Sequence, residues 1–115
     1  MGRYTFGRQD RIRKKKDFTT IYAKGARFHT GNFTVITYSN SIGIRRLGLT
    51  VSKKVGSAVQ RNRVKRLLRE FFRLNKEKLP GSKDIVIIAR TGAASLDYGD
   101  LYRELDGLLT TRTDV

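Results

Sequence analysis

The sequence predicts an α+β protein, a small α/β sandwich with its elements in the order α-β-β(-β)-α-β-α. Three observations lead there. The chain of 115 residues has the length of one domain, and 38% of it is hydrophobic, enough for a core without metal or disulfide support. Apolar residues at helical spacing alternate along the chain with short β-branched or aromatic runs. Gly, Pro, Ser and Asn fall at the boundaries between these segments.

Residues 1–13 (MGRYTFGRQDRIR) show no period and are expected to form a flexible basic arm, leaving residues 14–112 as the folded core of a single domain spanning 1–115. From Lys14 to Lys24, Phe18, Ile21 and Tyr22 fall at i, i+3 and i+4 with Gly25 just beyond, which predicts a short helix with a glycine stop. Phe33–Tyr38 (FTVITY) reads as a strand, with Phe33 in the core. Ser39–Gly43 reads as a turn, and Ile44–Ser52 as a second strand with Leu47, Leu49 and Val51 on one face. These two strands are expected to pair as a hairpin. Ser57 followed three residues later by Gln60 has the form of a capping box, so a helix should begin there. Val64, Leu67, Leu68, Phe71 and Phe72 carry it to about Lys78, and Pro80-Gly81 stops it. Asp84–Arg90 (DIVIIAR) is apolar through its middle, as a central strand covered on both faces should be. Tyr98, Leu101, Tyr102, Leu105, Leu108 and Leu109 form the apolar stripe of a last helix, weakened by Gly99 and Gly107.

Composition removes whole classes of chemistry. With no Cys, the chain has no disulfide framework, thiolate zinc site, iron–sulfur site or Cys nucleophile. With one His (His29, read as a surface loop residue), a histidine metal cage or a Ser-His-Asp apparatus is poorly supported. No apolar run approaches the ~20 residues of a membrane span, and the N-terminus lacks the apolar stretch of a signal peptide. A cytoplasmic protein is expected, with a polyanion as partner and neither a membrane nor a small-molecule substrate. The net charge of +15 is unevenly placed. Residues 1–30 hold nine Lys and Arg against two acids, and residues 45–78 hold twelve against two. Residues 31–44 hold no charge, and residues 79–115 hold four basic residues against six acids. Two segments therefore carry the positive potential, while the last third is scaffold.

The segment Lys53–Arg73 (KKVGSAVQRNRVKRLLREFFR) is the most informative. Its apolar stripe should face the sheet, placing Asn62, Lys65, Arg66, Arg69 and Arg73 on the opposite side. Arg61, Asn62 and Arg63 fall in the first turns, where positive charge opposes the helix dipole by a few tenths of a kcal/mol per residue, on the order of 0.3. Helix stability alone would favour acids at that end. Cations there suit phosphate, with arginine forks gripping its oxygens and Asn62 free to bond a base edge or ribose, or simply to stand as a surface amide.

Arg61-Asn62-Arg63, preceded by Gly48-Leu49-Thr50-Val51-Ser52-Lys53-Lys54-Val55-Gly56 and followed by Val64-Lys65-Arg66-Leu67-Leu68-Arg69-Glu70, resembles the signature of the bacterial ribonuclease P protein subunit. The flanks agree: a basic arm leading into an Asp-Phe helix, and an IIAR strand after the basic helix. The likeness runs from about Arg11 to the final helix. It implies an accessory subunit of an endoribonuclease holoenzyme, with no active site in this chain. The partner catalytic RNA would remove the 5′ leader of precursor tRNA in a Mg2+-dependent endonucleolytic cleavage, the Mg2+ being held by RNA and substrate, and the protein would broaden the range of substrates. It further implies an unusual left-handed βαβ crossover, an exception to the usual hand. Arg61, Asn62, Arg63, Lys65, Arg66, Arg69 and Arg73 would then contact the catalytic RNA.

By position, Phe18, Tyr22, Lys53, Lys54 and Arg90 would line a cleft for the single-stranded leader. Aromatics at i and i+4 are more often what a helix buries, so spacing alone favours Phe18 and Tyr22 as core residues, and it is the resemblance that assigns them to the cleft. Tyr22 stands where the family commonly has Phe, and its hydroxyl could bind phosphate or sugar. Ile36 stands where some members place Tyr, and Thr91 where some carry another base. Asp97, Asp100, Glu104 and Asp106 read as solvated helix charges and not as a metal site, which argues against a self-sufficient protein nuclease. A ribosomal-type or chaperone-like RNA binder shares the electrostatics but lacks the 53–70 motif.

Overall fold

The computed structural model describes residues 8–79 and 81–109. Its helices are α1 (Lys15–Lys24), α2 (Ala58–Leu74) and α3 (Tyr98–Leu105), and its strands β1 (Ala26–His29), β2 (Phe33–Ser39), β3 (Arg46–Thr50) and β4 (Lys83–Ala89). The strands make one mixed sheet in the order β1-β2-β4-β3, antiparallel except for the parallel pair β3 and β4. The class and element order match the sequence reading, with β1 filling the optional strand.

The expected hairpin does not form. β4 lies between its two presumed partners, with Ile87 beside Val35 of β2 on one side and beside Leu49 of β3 on the other. The reason is burial. β4 is the most apolar strand and takes the centre, while the β3–α2–β4 crossover supplies the long connection that a parallel pair requires. A buried ion pair pins the register at the start of both strands: Arg46 donates from Nε and Nη2 to the two carboxylate oxygens of Asp84, each at 2.8 Å. That bond, ahead of an opposing burial cost, raises the Arg46 guanidinium above its ordinary value. Asn40 Nδ2 adds a third donor to Asp84 at 2.9 Å, and Asp17 of α1 lies 3.5 Å from Arg46.

Alternation along the strands divides the core. Phe33, Val35, Leu47, Ile85 and Ile87 face Val64, Leu68, Phe71 and Phe72 of α2 and Leu101 and Leu105 of α3. On the other face, Ile36 and Val86 meet Ile21 of α1 and Ile12. The buried Ile12 corrects the arm reading. Arg11 bridges to Leu47, Ile12 donates its N–H to Leu47 O at 3.0 Å, and the buried Asp10 carboxylate takes Lys76 Nζ at 2.9 Å. The arm is therefore packed against β3 from about Asp10 onward, and its residues 1–7 lie outside the described residues, as do 110–112 at the far end of the expected core.

The start of α2 follows its sequence signal. Ser57 Oγ accepts the Gln60 N–H at 3.2 Å, and Gln60 Oε1 accepts the Ser57 N–H at 2.8 Å. Gly56 has φ 155°, and any Cβ there would run into the Gln60 side chain. The capping box thus needs the glycine beside it. Asp97 and Asp100 cap α3 in the same manner, so they are structural acceptors and not merely solvated charges.

Candidate nucleic-acid interface

Burial of Val64, Leu68, Phe71 and Phe72 fixes the rotation of α2, and its cations then spread over three sides and not one. Asn62 and Arg66 stand exposed on the crest. Lys65 and Arg69 turn toward β3 and α1. Arg63 leans the other way, its Nη1 3.4 Å from Ala94 O, and Arg73 is held by Glu70 at 2.6 Å. Arg61 is half-buried in the first turn. The seven residues of the motif helix are therefore a ridge with two flanks.

The flank carrying Lys65 and Arg69 forms one wall of an open groove of about 310 Å³. Arg11, Ile12 and Arg13 beside β3, Phe18 of α1, and Leu47, Gly48 and Leu49 of the β3 floor complete its lining. Four cations and no carboxylate line it. Burial first, and then the neighbouring Arg11 charge, pull the Arg69 guanidinium below its ordinary value. Like charges gathered in a half-dry groove repel one another, and a polyanion seated there would offset that cost. Phe18 approaches the floor only because position 48 is glycine: a Cβ at Gly48 would lie 2.7 Å from Phe18 Cε1. Phe18 is thus both things its spacing allowed, packed on the smaller core cluster and half-exposed in the groove.

Tyr22 lies one turn further along α1, its ring centroid 6.2 Å from that of Phe18. It is 37% exposed, so it is not a core residue, and its hydroxyl lies 3.0 Å from Thr50 Oγ1 at the end of β3. Because β3 and β4 run parallel, their C-terminal ends lie together. The exposed Lys53 and Lys54 sit in the short turn Lys53–Val55 after β3, and the exposed Arg90 follows β4 with its N–H on Asn32 O at 2.8 Å. The five cleft candidates therefore gather along α1 and the adjoining sheet end. Ile36 is fully buried beneath α1 and offers the cleft nothing.

Sequence reasoning missed Arg11, Arg13 and Thr50. The alternation Arg11-Ile12-Arg13 was the available signal, since a period of two is what a segment lying along a strand edge shows. It also misjudged Glu104, which is half-buried and hydrogen-bonded and not merely a solvated charge. Glu104 Oε1 accepts Thr30 Oγ1 at 2.5 Å and the Asn32 N–H at 2.9 Å, while Asn32 Nδ2 donates to its other oxygen. Burial pushes this carboxyl up, but the bonds from Thr30 and Asn32 outweigh it and leave it below its ordinary value. His29 is on β1 and not in a loop, with Nδ1 2.9 Å from Thr34 Oγ1. Among the described residues, no group of three or more His, Cys, Asp or Glu could hold a metal ion.

The family model for ribonuclease P matches residues 6–112. The ribonuclease P protein component of Syntrophus aciditrophicus is 49% identical over 110 residues, which cover 96% of this chain and 92% of that protein. The solved RNase P protein of Staphylococcus aureus superposes with a TM-score of 0.79 at 40% identity, covering 86% of this chain and 91% of that one. The RNase P protein of Thermotoga maritima gives a TM-score of 0.79 at 34% identity, covering 88% and 96%. Motif, sheet order and likeness over nearly the full length agree, and the chain belongs to the ribonuclease P protein family.

Proposed function

We propose that this chain is the RNA-binding accessory subunit of a cytoplasmic ribonuclease P holoenzyme. The α2 ridge (Arg61, Asn62, Arg63, Lys65, Arg66, Arg69, Arg73) docks on a catalytic RNA. The cleft bounded by Phe18, Tyr22, Lys53, Lys54 and Arg90 holds the single-stranded 5′ leader of precursor tRNA. The RNA performs the hydrolysis and, with the substrate, holds the Mg2+ that supplies Lewis-acid chemistry; no side chain of this protein enters the reacting centre. Its own residues do three things. Arginine forks and lysines lower the repulsion between catalytic RNA and substrate. Aromatic rings stack unpaired leader bases, each worth about 1–3 kcal/mol. The rigid sheet end fixes where the leader emerges, and holding leaders of differing sequence by stacking and charge broadens the range of substrates.

The observation that carries this reading is the surface around Phe18, where the acid-free groove on the α2 flank meets the exposed Tyr22 ring, its centroid 6.2 Å from that of Phe18. Four cations without one acid surround an aromatic edge, and such a site suits a strand with both phosphates and exposed bases. Tyr22→Ala in the reconstituted holoenzyme tests it. Affinity for leader-bearing precursor should fall about fivefold or more, while affinity for mature tRNA stays unchanged. Equal loss on both substrates would remove the leader from this cleft.

A further inference from the structure

The cleft has a second end. Strand register sets Thr50 beside Ile88, Ile88 beside Thr34, and Thr34 beside His29. Registered partners project to the same face, and Ile88 packs on the cluster under α1, so this row crosses the α1 face from β3 to β1. Three inter-strand steps of roughly 4.8 Å make a strip about 14 Å long. Thr50, Ile88 and Thr34 are half-buried, and His29 is exposed. The Tyr22 hydroxyl closes one end of the strip on Thr50, and the His29 imidazole closes the other on Thr34. Two rings thus bracket a floor of two hydroxyls and one isoleucine.

The imidazole is held in place. Its Nδ1 is engaged by Thr34 Oγ1, and Nε2 has no hydrogen-bond partner among the described residues. β1 is a four-residue edge strand, exposed throughout, and would fray without support. Support comes from the turn after it, where Glu104 of α3 takes Thr30 and Asn32, and Asn32 O in turn takes the Arg90 N–H. One carboxylate therefore braces the turn that follows His29 and carries the Asn32 carbonyl bonded by Arg90. Arg27, on the same face as His29, reaches back to Tyr22 O at 2.8 Å and ties the two ends of the strip together.

We propose that His29 is a leader-contacting residue: one unpaired RNA nucleotide beyond those at Phe18 and Tyr22 lies along the strip and stacks its base on the imidazole. Imidazole, like phenol, offers a face to any base, so the contact is tolerant of sequence. This rests on the cleft reading, and its test separates the two. His29→Ala, His29→Phe and Tyr22→Ala are compared in the reconstituted holoenzyme on precursor tRNAs whose leaders are shortened one nucleotide at a time. His29→Ala should weaken binding about fivefold or more for the longer leaders, and the loss should vanish at a leader length at which Tyr22→Ala still has its effect. His29→Phe, which keeps a ring, should restore most of the affinity. If Tyr22→Ala is leader-selective and His29→Ala has no effect, or the same effect at every length, the His29 contact is wrong and the cleft stands. If neither variant distinguishes leaders, both readings fall. His29 is the chain's sole histidine, so its ring resonance is unambiguous. Adding a single-stranded RNA pentamer to the wild-type protein should shift that resonance, and an unmoved signal at saturation would also overturn the contact.

Discussion

On the α2/α3 face of the sheet, seventeen buried hydrophobic residues among those described form one core; the hydrophobic cluster buried on the α1 face has four, Ile12, Ile21, Ile36 and Val86, beside the buried carboxylate of Asp84. The first face is covered by two helices, the second by a ten-residue helix that leaves the sheet end open. The charges divide by role. Asp97, Asp100 and Glu104 of α3 and Asp84 of β4 are structural acceptors, while the groove at the β3 edge, between α1 and α2, collects Arg11, Arg13, Lys65 and Arg69. A small domain cannot bury both faces of a four-stranded sheet fully and also keep a binding surface. This one concentrates stability on one face, leaves hydroxyls and rings on the other, and gathers cations along the β3 edge between them.

The division breaks most visibly at Leu68, fully buried on the larger core. Leu68→Ala should cost about 2–5 kcal/mol, a large part of the stability of so small a domain. Urea unfolding would show it, and a loss below about 1 kcal/mol would mean that the core is not concentrated there. Gly48→Ala tests the border between the faces. The new methyl must displace Phe18, so we expect a loss of about 1–3 kcal/mol in thermal unfolding together with reduced preference for leader-bearing substrate. A variant with wild-type stability and preference would show that the Phe18–Gly48 contact is dispensable.

Glu104→Gln sharpens the scaffold side, and charged hydrogen bonds of this kind are worth about 1.5–3 kcal/mol. The folded carboxyl lies below its ordinary 4.5, so its contribution is complete above that pH and is lost as pH falls through the folded value. Stability of the wild type should therefore drop more steeply below pH 4.5 than that of Glu104→Gln, and parallel profiles would contradict the assigned bonds. Arg66→Ala, on the exposed crest of α2, should change stability by less than about 0.5 kcal/mol. It should nonetheless lower the salt slope of catalytic-RNA binding by roughly one unit, and an unchanged slope would exclude Arg66 from the docking ridge.

What could be read from the chain was local. The capping box at Ser57 and Gln60, the helical stripe from Val64 to Phe72 and the apolar run of β4 are written in contiguous residues, and all three form where expected. What could not be read was long-range. Nothing near Phe33 or Leu47 announces that Ile87 will lie between their strands, because that choice is made by the burial of β4 and by the Arg46–Asp84 pair across 38 residues. Glu104 looked like an exposed helix acid because its partners, Thr30 and Asn32, are more than seventy residues away. The residues proposed for the cleft, Phe18, Tyr22, Lys53, Lys54 and Arg90, are picked out by the resemblance and not by local pattern. The groove beside Phe18 could not be read at all, since Lys65 and Arg69 reach it only through the rotation of α2 on the sheet.

The most direct measurement is cleavage of precursor tRNA at low magnesium by the protein alone, by a bacterial ribonuclease P RNA alone, and by the two together. The protein alone should give no turnover, the RNA alone slow turnover, and the two together a faster reaction whose acceleration is lost as the leader is shortened. Turnover by protein rigorously freed of RNA would contradict the accessory role.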